Sequence, residues 1–194
     1  MKSKMKIIFS ITMFFALVSV GVIKLNKENT AAYAAKGKAL SHHMKNSVKD
    51  KKYSMKKFLR INMGMNYKSV ENILGVSEKT GQINDKRELM NHQWKNSDDS
   101  YIVVITKNNY VVSKIEIGLE KINANISRVK YKKISRGMSY EKVKNLVGKG
   151  ELLSETNLMG SNSKMYQWVN SDGSSMNITF TNGIVDYKTE KKLK

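Results

Sequence analysis

The 194-residue chain contains no cysteine, which excludes disulfides, a thiol nucleophile and a thiolate metal site. Whatever core it forms must hold without covalent staples. Histidine is scarce as well, at 3 residues. His42 and His43 are adjacent in a basic segment and His92 stands alone, with no third donor at the spacing zinc needs. Acidic residues are few: 16 Asp+Glu stand against 35 Lys+Arg, for a formal net charge of +19. Such a field draws polyanions of any kind.

Catalytic constellations are missing too. Gly148-Lys149-Gly150 lacks the rest of a phosphate-binding loop, Gly160-Ser161-Asn162-Ser163 is no nucleophile elbow, and no Ser/His/Asp set is evident. The chain reads as a non-enzyme without a cofactor or metal. No aromatic and basic residues interleave as they do on RNA-binding sheets, so nucleic acid is an unexpected partner.

What is present begins with Lys2, Lys4 and Lys6 followed by an uncharged, mostly apolar run from Ile7 to Ile23. These are the first two regions of a secretory signal. Ala32-Tyr33-Ala34 offers small residues for cleavage after Ala34, although a run of this length also admits an uncleaved membrane anchor. Residues 1–34 are therefore read as signal peptide or anchor, and the chain as secreted or held at the cell envelope. Residues 35–52 form a basic linker, in which Leu40, Met44 and Val48 at i, i+4, i+8 admit an amphipathic helix on an anionic surface. A solvated tail is the preferred alternative.

The rest of the chain states one pattern twice. Ile61-Asn62-Met63-Gly64-Met65-Asn66-Tyr67, then Val70, Ile73, Leu74 and Gly75, returns 73 residues later as Ile134-Ser135-Arg136-Gly137-Met138-Ser139-Tyr140, then Val143, Leu146, Val147 and Gly148. Asn66 and Ser139 are helix-capping types, the apolar residues fall on one helical face, and Gly75 and Gly148 suit a left-handed helix end. Gly64 and Gly137 predict a tight turn between two short helices. Gln93-Trp94 and Asn96-Ser97-Asp98 recur 74 residues on as Gln167-Trp168 and Asn170-Ser171-Asp172, and Lys114, Glu116 and Leu119 recur as Lys188, Glu190 and Leu193.

In the first copy, strands are predicted at roughly 77–84, 88–96, 100–107 and 110–117. Lys107-Asn108-Asn109 and Thr181-Asn182-Gly183 mark tight hairpins. The predicted fold class is α+β: two tandem repeats, at 53–119 and 129–194 with a connector at 120–128, each a short helix-loop-helix on a four-stranded antiparallel sheet.

The Gly64-Met65-x-Tyr67…Gly75 and Gly137-Met138-x-Tyr140…Gly148 boxes, with the tryptophan motif, resemble those of the beta-lactamase inhibitory protein (BLIP)-like family; a similar signature marks the SmpA/OmlA (BamE) lipoproteins. The resemblance covers about residues 53–194. It implies helix-loop-helix units on four-stranded sheets, a Gram-positive source, and a protein-binding module for an extracellular or envelope protein, with or without inhibition of it; a beta-lactamase-type enzyme inhibitor is a separate alternative. In the family's inhibitor, an acid at a hairpin tip of the first repeat enters the lactamase active site. Asp99 falls close to that place, while the aromatic contact of the second repeat falls at Ser171. The family's inhibitor carries a disulfide in each repeat, which this chain lacks.

Candidate partner-binding residues are Trp94, Asp98, Asp99, Trp168 and Asp172. The tryptophans are either paired anchors on a concave face or, preferred, rings that close each core. The aspartates are either calcium ligands or, preferred, turn formers. The alternative to a protein partner is an envelope polyanion, either a cell-wall polymer or an anionic membrane surface.

Overall fold

The computed structural model describes residues 51–83, 89–120 and 123–194. The expected signal, its cleavage site and the basic linker up to residue 50 lie outside the described residues.

Each half opens with two short helices. α1 spans Met55–Leu59 and α2 spans Tyr67–Leu74; α3 spans Arg128–Lys133 and α4 spans Tyr140–Val147. They start where a side-chain oxygen accepts from an N–H that the first helical turn leaves unpaired. Ser54 accepts from Lys57, Asn66 from Lys68, Ser127 from Lys130 and Ser139 from Lys142.

α2 and α4 end at Gly75 and Gly148, whose N–H groups donate to the Glu71 and Lys144 carbonyls. The expected left-handed helical ends are corrected in one respect. Their φ is +87° and +86°, but ψ is −178° and 178°, a region that essentially only glycine occupies. The chain therefore leaves each helix extended and turns the glycine carbonyl inward. Gly75 O accepts from Trp94 Nε1 at 2.9 Å, and Gly148 O from Trp168 Nε1 at 3.0 Å.

The strands are β1 (Lys79–Gln82), β2 (Leu89–Lys95), β3 (Tyr101–Lys107), β4 (Tyr110–Ile117), β5 (Asn123–Ala124), β6 (Glu151–Leu158), β7 (Ser161–Asn170), β8 (Ser175–Thr181) and β9 (Ile184–Lys191). The hairpin turns are as predicted, with φ positive at both central residues: Asn108 and Asn109 at 51° and 68°, Asn182 and Gly183 at 50° and 84°.

The expectation of a separate four-stranded sheet in each half is corrected. The strands form one nine-stranded sheet in the order β1-β2-β3-β4-β6-β7-β8-β9, with β5 alongside β7. The halves fuse where β4 pairs antiparallel with β6 through Ser113↔Thr156, Lys114↔Glu155 and Ile115↔Ser154. Fusion is favoured because it pairs two edges that would otherwise expose unpaired N–H and C=O groups. β5 pairs parallel with Val169 and Asn170, beside β7 beyond the point where β6 begins opposite Gln167.

Each helix pair covers the same face of this sheet. Phe58, Ile61, Val70 and Leu74 pack with Trp94, Ile102 and Val104; Ile134, Val143 and Val147 pack with Trp168, Met176 and Ile178. The glycine-methionine boxes tie the helix pair to the last hairpin of each half. Gly64 N donates to Val111 O at 2.7 Å and Val111 N to Met65 O at 2.9 Å; Gly137 N donates to Val185 O and Val185 N to Met138 O in the same way. Tyr67 stacks on His92 at 3.9 Å, where the second half places Tyr140 against Tyr166 at 4.4 Å.

The covered face also holds charge. Lys114, 2% exposed, donates from Nζ to Ile61 O at 2.6 Å and Phe58 O at 3.4 Å. Lys188 donates likewise to Ile134 O and Tyr131 O. Phe58 O and Tyr131 O already accept from Ile61 N and Ile134 N at the ends of α1 and α3, and the ammonium adds a charged donor to them and serves the Ile61 and Ile134 carbonyls just beyond. Each ammonium also lies over an aromatic ring, Phe58 at 4.8 Å and Tyr131 at 4.1 Å. Burial pushes both lysines below their ordinary pKa, and Glu155 at 3.5 Å opposes that for Lys114.

Lys114→Met leaves the Ile61 carbonyl without its donor and Glu155 with Lys164 and Asn162 alone, and is expected to cost about 3 kcal/mol in urea unfolding, with Lys188→Met, more exposed, costing roughly half as much. Equal or negligible losses would show that the ammonium groups do not dock the helices. Burial also lowers the His92 pKa, so folded His92 stays neutral where the unfolded chain takes up a proton. Its contribution is full above the ordinary value of 6.5 and is lost as pH falls below it. Melting temperature measured between pH 8 and pH 5 should therefore drop less steeply in His92→Tyr, the residue its counterpart Tyr166 already is.

Candidate functional site

Among the described residues, no helix lies over the sheet face away from the helix pairs. Alternation along the registered strands assigns it Val103 and Ile105 on β3, Ser113, Ile115 and Ile117 on β4, Ser154 and Thr156 on β6, and Ser163, Met165 and Val169 on β7. β8 adds Asn177 and Thr179. Across β4, β6, β7 and β8 the face carries no charge apart from Glu151, the first residue of β6. The charged members of the same strands, Lys114, Glu116, Glu155 and Lys164, fall on the covered face. Among the described residues, lysines on the open face sit at its margins, as Lys79, Lys95, Lys107 and Lys191.

In a chain of net charge +19, a broad face of hydroxyl, amide and aliphatic groups is a physical exception. Burial varies across it: Ile105, Ser113 and Ser154 are buried without belonging to either helix-covered core, while Ile117 is 41% exposed. Depletion of charge at the centre with a polar or charged rim is the composition of a protein-binding patch.

Two hairpin loops lie at one end of this sheet and are built alike. Asn96 Oδ1 accepts from Tyr53 N, and its Nδ2 donates to Tyr53 O and Ser100 Oγ; Asn170 makes the same three bonds with Ile126 and Ser174. Asp98 accepts from the N–H and hydroxyl of Ser100, and Asp172 from those of Ser174. The Ser100 hydroxyl first, and Lys51 at 3.1 Å after it, hold the Asp98 carboxyl down at about 2. Ser174 lowers Asp172 in the same sense. Both aspartates form turns, as preferred, and are engaged within their own loops.

Asp99 differs. Its φ is +67°, its side chain is 68% exposed, and its carboxylate pairs with Lys95 at 2.6 Å. The matching residue of the second half is Gly173, at φ +79°. A glycine takes this backbone without strain and an aspartate does not, so nothing in the turn calls for the acid. Ser171, expected where the family's inhibitor has an aromatic contact, is exposed in the second loop.

The reading of Trp94 and Trp168 as surface anchors is corrected. They are 0% and 1% exposed, sealed under the helix pairs by their bonds to Gly75 and Gly148. Among the described residues no group of three or more His, Cys, Asp or Glu is placed to hold a metal ion. Sequence reasoning missed the open face. The signal was Ser113-Lys114-Ile115-Glu116-Ile117, whose alternation looks like an ordinary strand with its charges in solvent, whereas here the charges point at the helices.

With this geometry in view, the chain can be set beside known proteins. The family model described as beta-lactamase inhibitor (BLIP) matches twice, over residues 54–168 and 127–194. Among solved structures, a proposed beta-lactamase inhibitor protein from Streptococcus mutans aligns with a TM-score of 0.60 at 20% identity, covering 71% of this chain and 94% of that one. That likeness is one of fold. No curated protein matches the chain.

Asp98→Ala removes two hydrogen bonds that shape its loop and is expected to cost about 1 kcal/mol or more in thermal unfolding. Asp99→Gly is expected to be neutral within about 0.5 kcal/mol or stabilising. A clear loss on Asp99→Gly would mean that this carboxylate is structural.

Proposed function

The chain belongs to the beta-lactamase inhibitor (BLIP) family, and from that premise we propose that it is an exported, non-catalytic module that grips an extracellular or envelope protein in the inhibitor manner. The neutral open face supplies the grip, and Asp99 at the neighbouring hairpin tip supplies the intruding acid.

The observation that carries this reading is the sorting of charge. Among the described residues, every lysine that could repel a basic partner is at the margin of the open face or on other surfaces, and the Lys114 ammonium of the central strands is spent on fixing the helices. A patch with an apolar and hydroxyl centre buries its water cheaply, because no ion has to be stripped. Asp99 supports the same reading from its backbone: strain accepted at a tip where glycine serves in the second half is the kind kept for contact with something else. Export is supported by Lys2, Lys4 and Lys6 ahead of the Ile7–Ile23 run.

The test uses the full chain as inhibitor and as bait. Hydrolysis by a set of beta-lactamases is followed with increasing chain, and proteins of the envelope and extracellular fractions are cross-linked to it and identified. A charge placed on the open face, as in Ile117→Glu, is expected to weaken any inhibition or capture at least tenfold at unchanged melting temperature. Lys142→Glu on α4 is expected to leave it intact. Indifference to both substitutions, or sensitivity to the α4 charge alone, overturns the assignment of the face.

A further inference from the structure

Where β4, β5, β6 and β7 meet, the sheet forms a half-open cavity of about 420 Å³. Its lining includes Glu116, Glu120 and Glu151, together with Gln167, Asn170 and Ser171. Glu116 and Glu151 are 1% and 6% exposed. Glu116 Oε2 accepts from Leu119 N at 3.0 Å, but Oε1 of Glu116 and Oε1 of Glu151 meet no hydrogen-bond donor among the described residues. Two buried carboxyls thus face one cavity, each with an oxygen unserved.

Among the described residues, the cation that acts on both carboxyls, Lys51, is already occupied. Lys51 Nζ donates to Gly118 O at 2.7 Å and Leu119 O at 2.8 Å and pairs with Asp98 at 3.1 Å, which accounts for its three protons.

The second half of the chain shows how the same acid is completed elsewhere. Glu190, the counterpart of Glu116, accepts from Leu193 N through Oε2 in the same way. Its Oε1, however, is paired with the guanidinium of Arg128 at 3.5 Å. The first half has Met55 at the position corresponding to Arg128, so no guanidinium reaches Glu116 from its own helix.

We propose that the cavity between β4 and β6 is a guanidinium site, filled by an arginine side chain of the partner protein, which supplies to Glu116 and Glu151 the donors that Arg128 supplies to Glu190. A planar fork of N–H groups suits two carboxylates and the amide oxygen of Gln167 better than a point charge does. The source of the arginine rests on the protein-binding reading above; the guanidinium chemistry of the cavity does not.

With the cavity empty, one proton shared by the pair serves both oxygens. Burial, reinforced by the neighbouring Glu151 carboxyl and opposed by the Leu119 N–H and by Lys51, raises Glu116 to about 7, and burial raises Glu151 as well. The groups facing the pair are Lys51 from the segment before α1, Asp98 beyond it on the β2–β3 loop, and Glu120 of the connector. A guanidinium displaces the shared proton, so binding is strong above the raised value and weakens as pH falls through it.

The test is a nuclear magnetic resonance titration of the full chain with N-acetyl-argininamide, which carries a guanidinium and no other charge. N-acetyl-citrullinamide, its neutral isostere, is the control. Saturable shifts are expected at the Gly118, Leu119 and Ser171 amides with the arginine probe alone, and binding about 30-fold weaker at pH 5.5 than at pH 8, the factor for one proton at about 7. Glu151→Gln, which keeps the shape of the side chain, is expected to weaken binding at pH 8 at least tenfold. Equal shifts with the citrulline probe, absence of saturation, or affinity unchanged between the two pH values would overturn the site, and the last two need no variant. If the site holds and no arginine-bearing partner protein is captured, the guanidinium belongs to a small molecule and the source is refuted while the cavity chemistry stands.

Discussion

A buried ammonium group holds each helix pair to the sheet. α1 and α3 have 5 and 6 residues, too short to be stable by their own hydrogen bonds, and the carbonyls at and just past their ends take a donor from the sheet. Lys114 and Lys188 rise from the sheet to those carbonyls and cover an aromatic ring with the same ammonium. The cost of removing a cation from water is met by several dipoles and a π face at once, and for Lys114 by Glu155 as well. Everything on the covered face follows from this arrangement. The hydrophobic cluster closes around the lysine stems, and the glutamate two residues on, Glu116 or Glu190, turns the chain at the end of its strand by accepting from Leu119 or Leu193.

That arrangement also decides what is left for the other face. A strand alternates sides, so once Lys114, Glu116, Glu155 and Lys164 are committed to the helix side, the residues between them must be the uncharged ones. The open face is neutral because the covered face is charged, an inversion of the usual pattern in which a sheet hides its apolar side and wets its polar one.

Much of the fold was legible because its signals are local. Asn66 and Ser139 start helices, Asn108-Asn109 and Asn182-Gly183 turn hairpins, and the 73-residue echo pairs the boxes; each depends on neighbours a few residues away. The fusion of the halves was not legible, since the β4–β6 pairing joins residues about 40 apart in strands whose patterns would suit separate sheets equally well. The tryptophans were half legible: aromatic side chains at matched positions implied a common role, but only the extended ψ of Gly75 and Gly148 turns the carbonyls that hold their indoles inside. The site was least legible. Asp98, Asp99 and Asp172 look equivalent in sequence, and what separates them is that two accept hydrogen bonds from the serine two residues on while the third projects into solvent at a positive φ.

The two halves serve as controls for one another. Where a residue serves packing, both copies keep it with the same bonds: Asn96 with Asn170, Trp94 with Trp168, Lys114 with Lys188. Where the copies part, the frame no longer explains the choice and the difference has to be read as chemistry. Asp99 stands where Gly173 would do, and it costs the turn some ease. Met55 stands where Arg128 satisfies a glutamate, and its absence leaves Glu116 to pair with Glu151 across the seam that fusion created. Both departures lie in the first half, beside the same end of the open face, since Lys51 touches the Asp98 loop and the carbonyls bordering the cavity at once. A chain that kept its scaffold twice and relaxed it at one end has left the unserved Glu116 and Glu151 oxygens there, and unserved groups on a rigid frame are what a second molecule can complete.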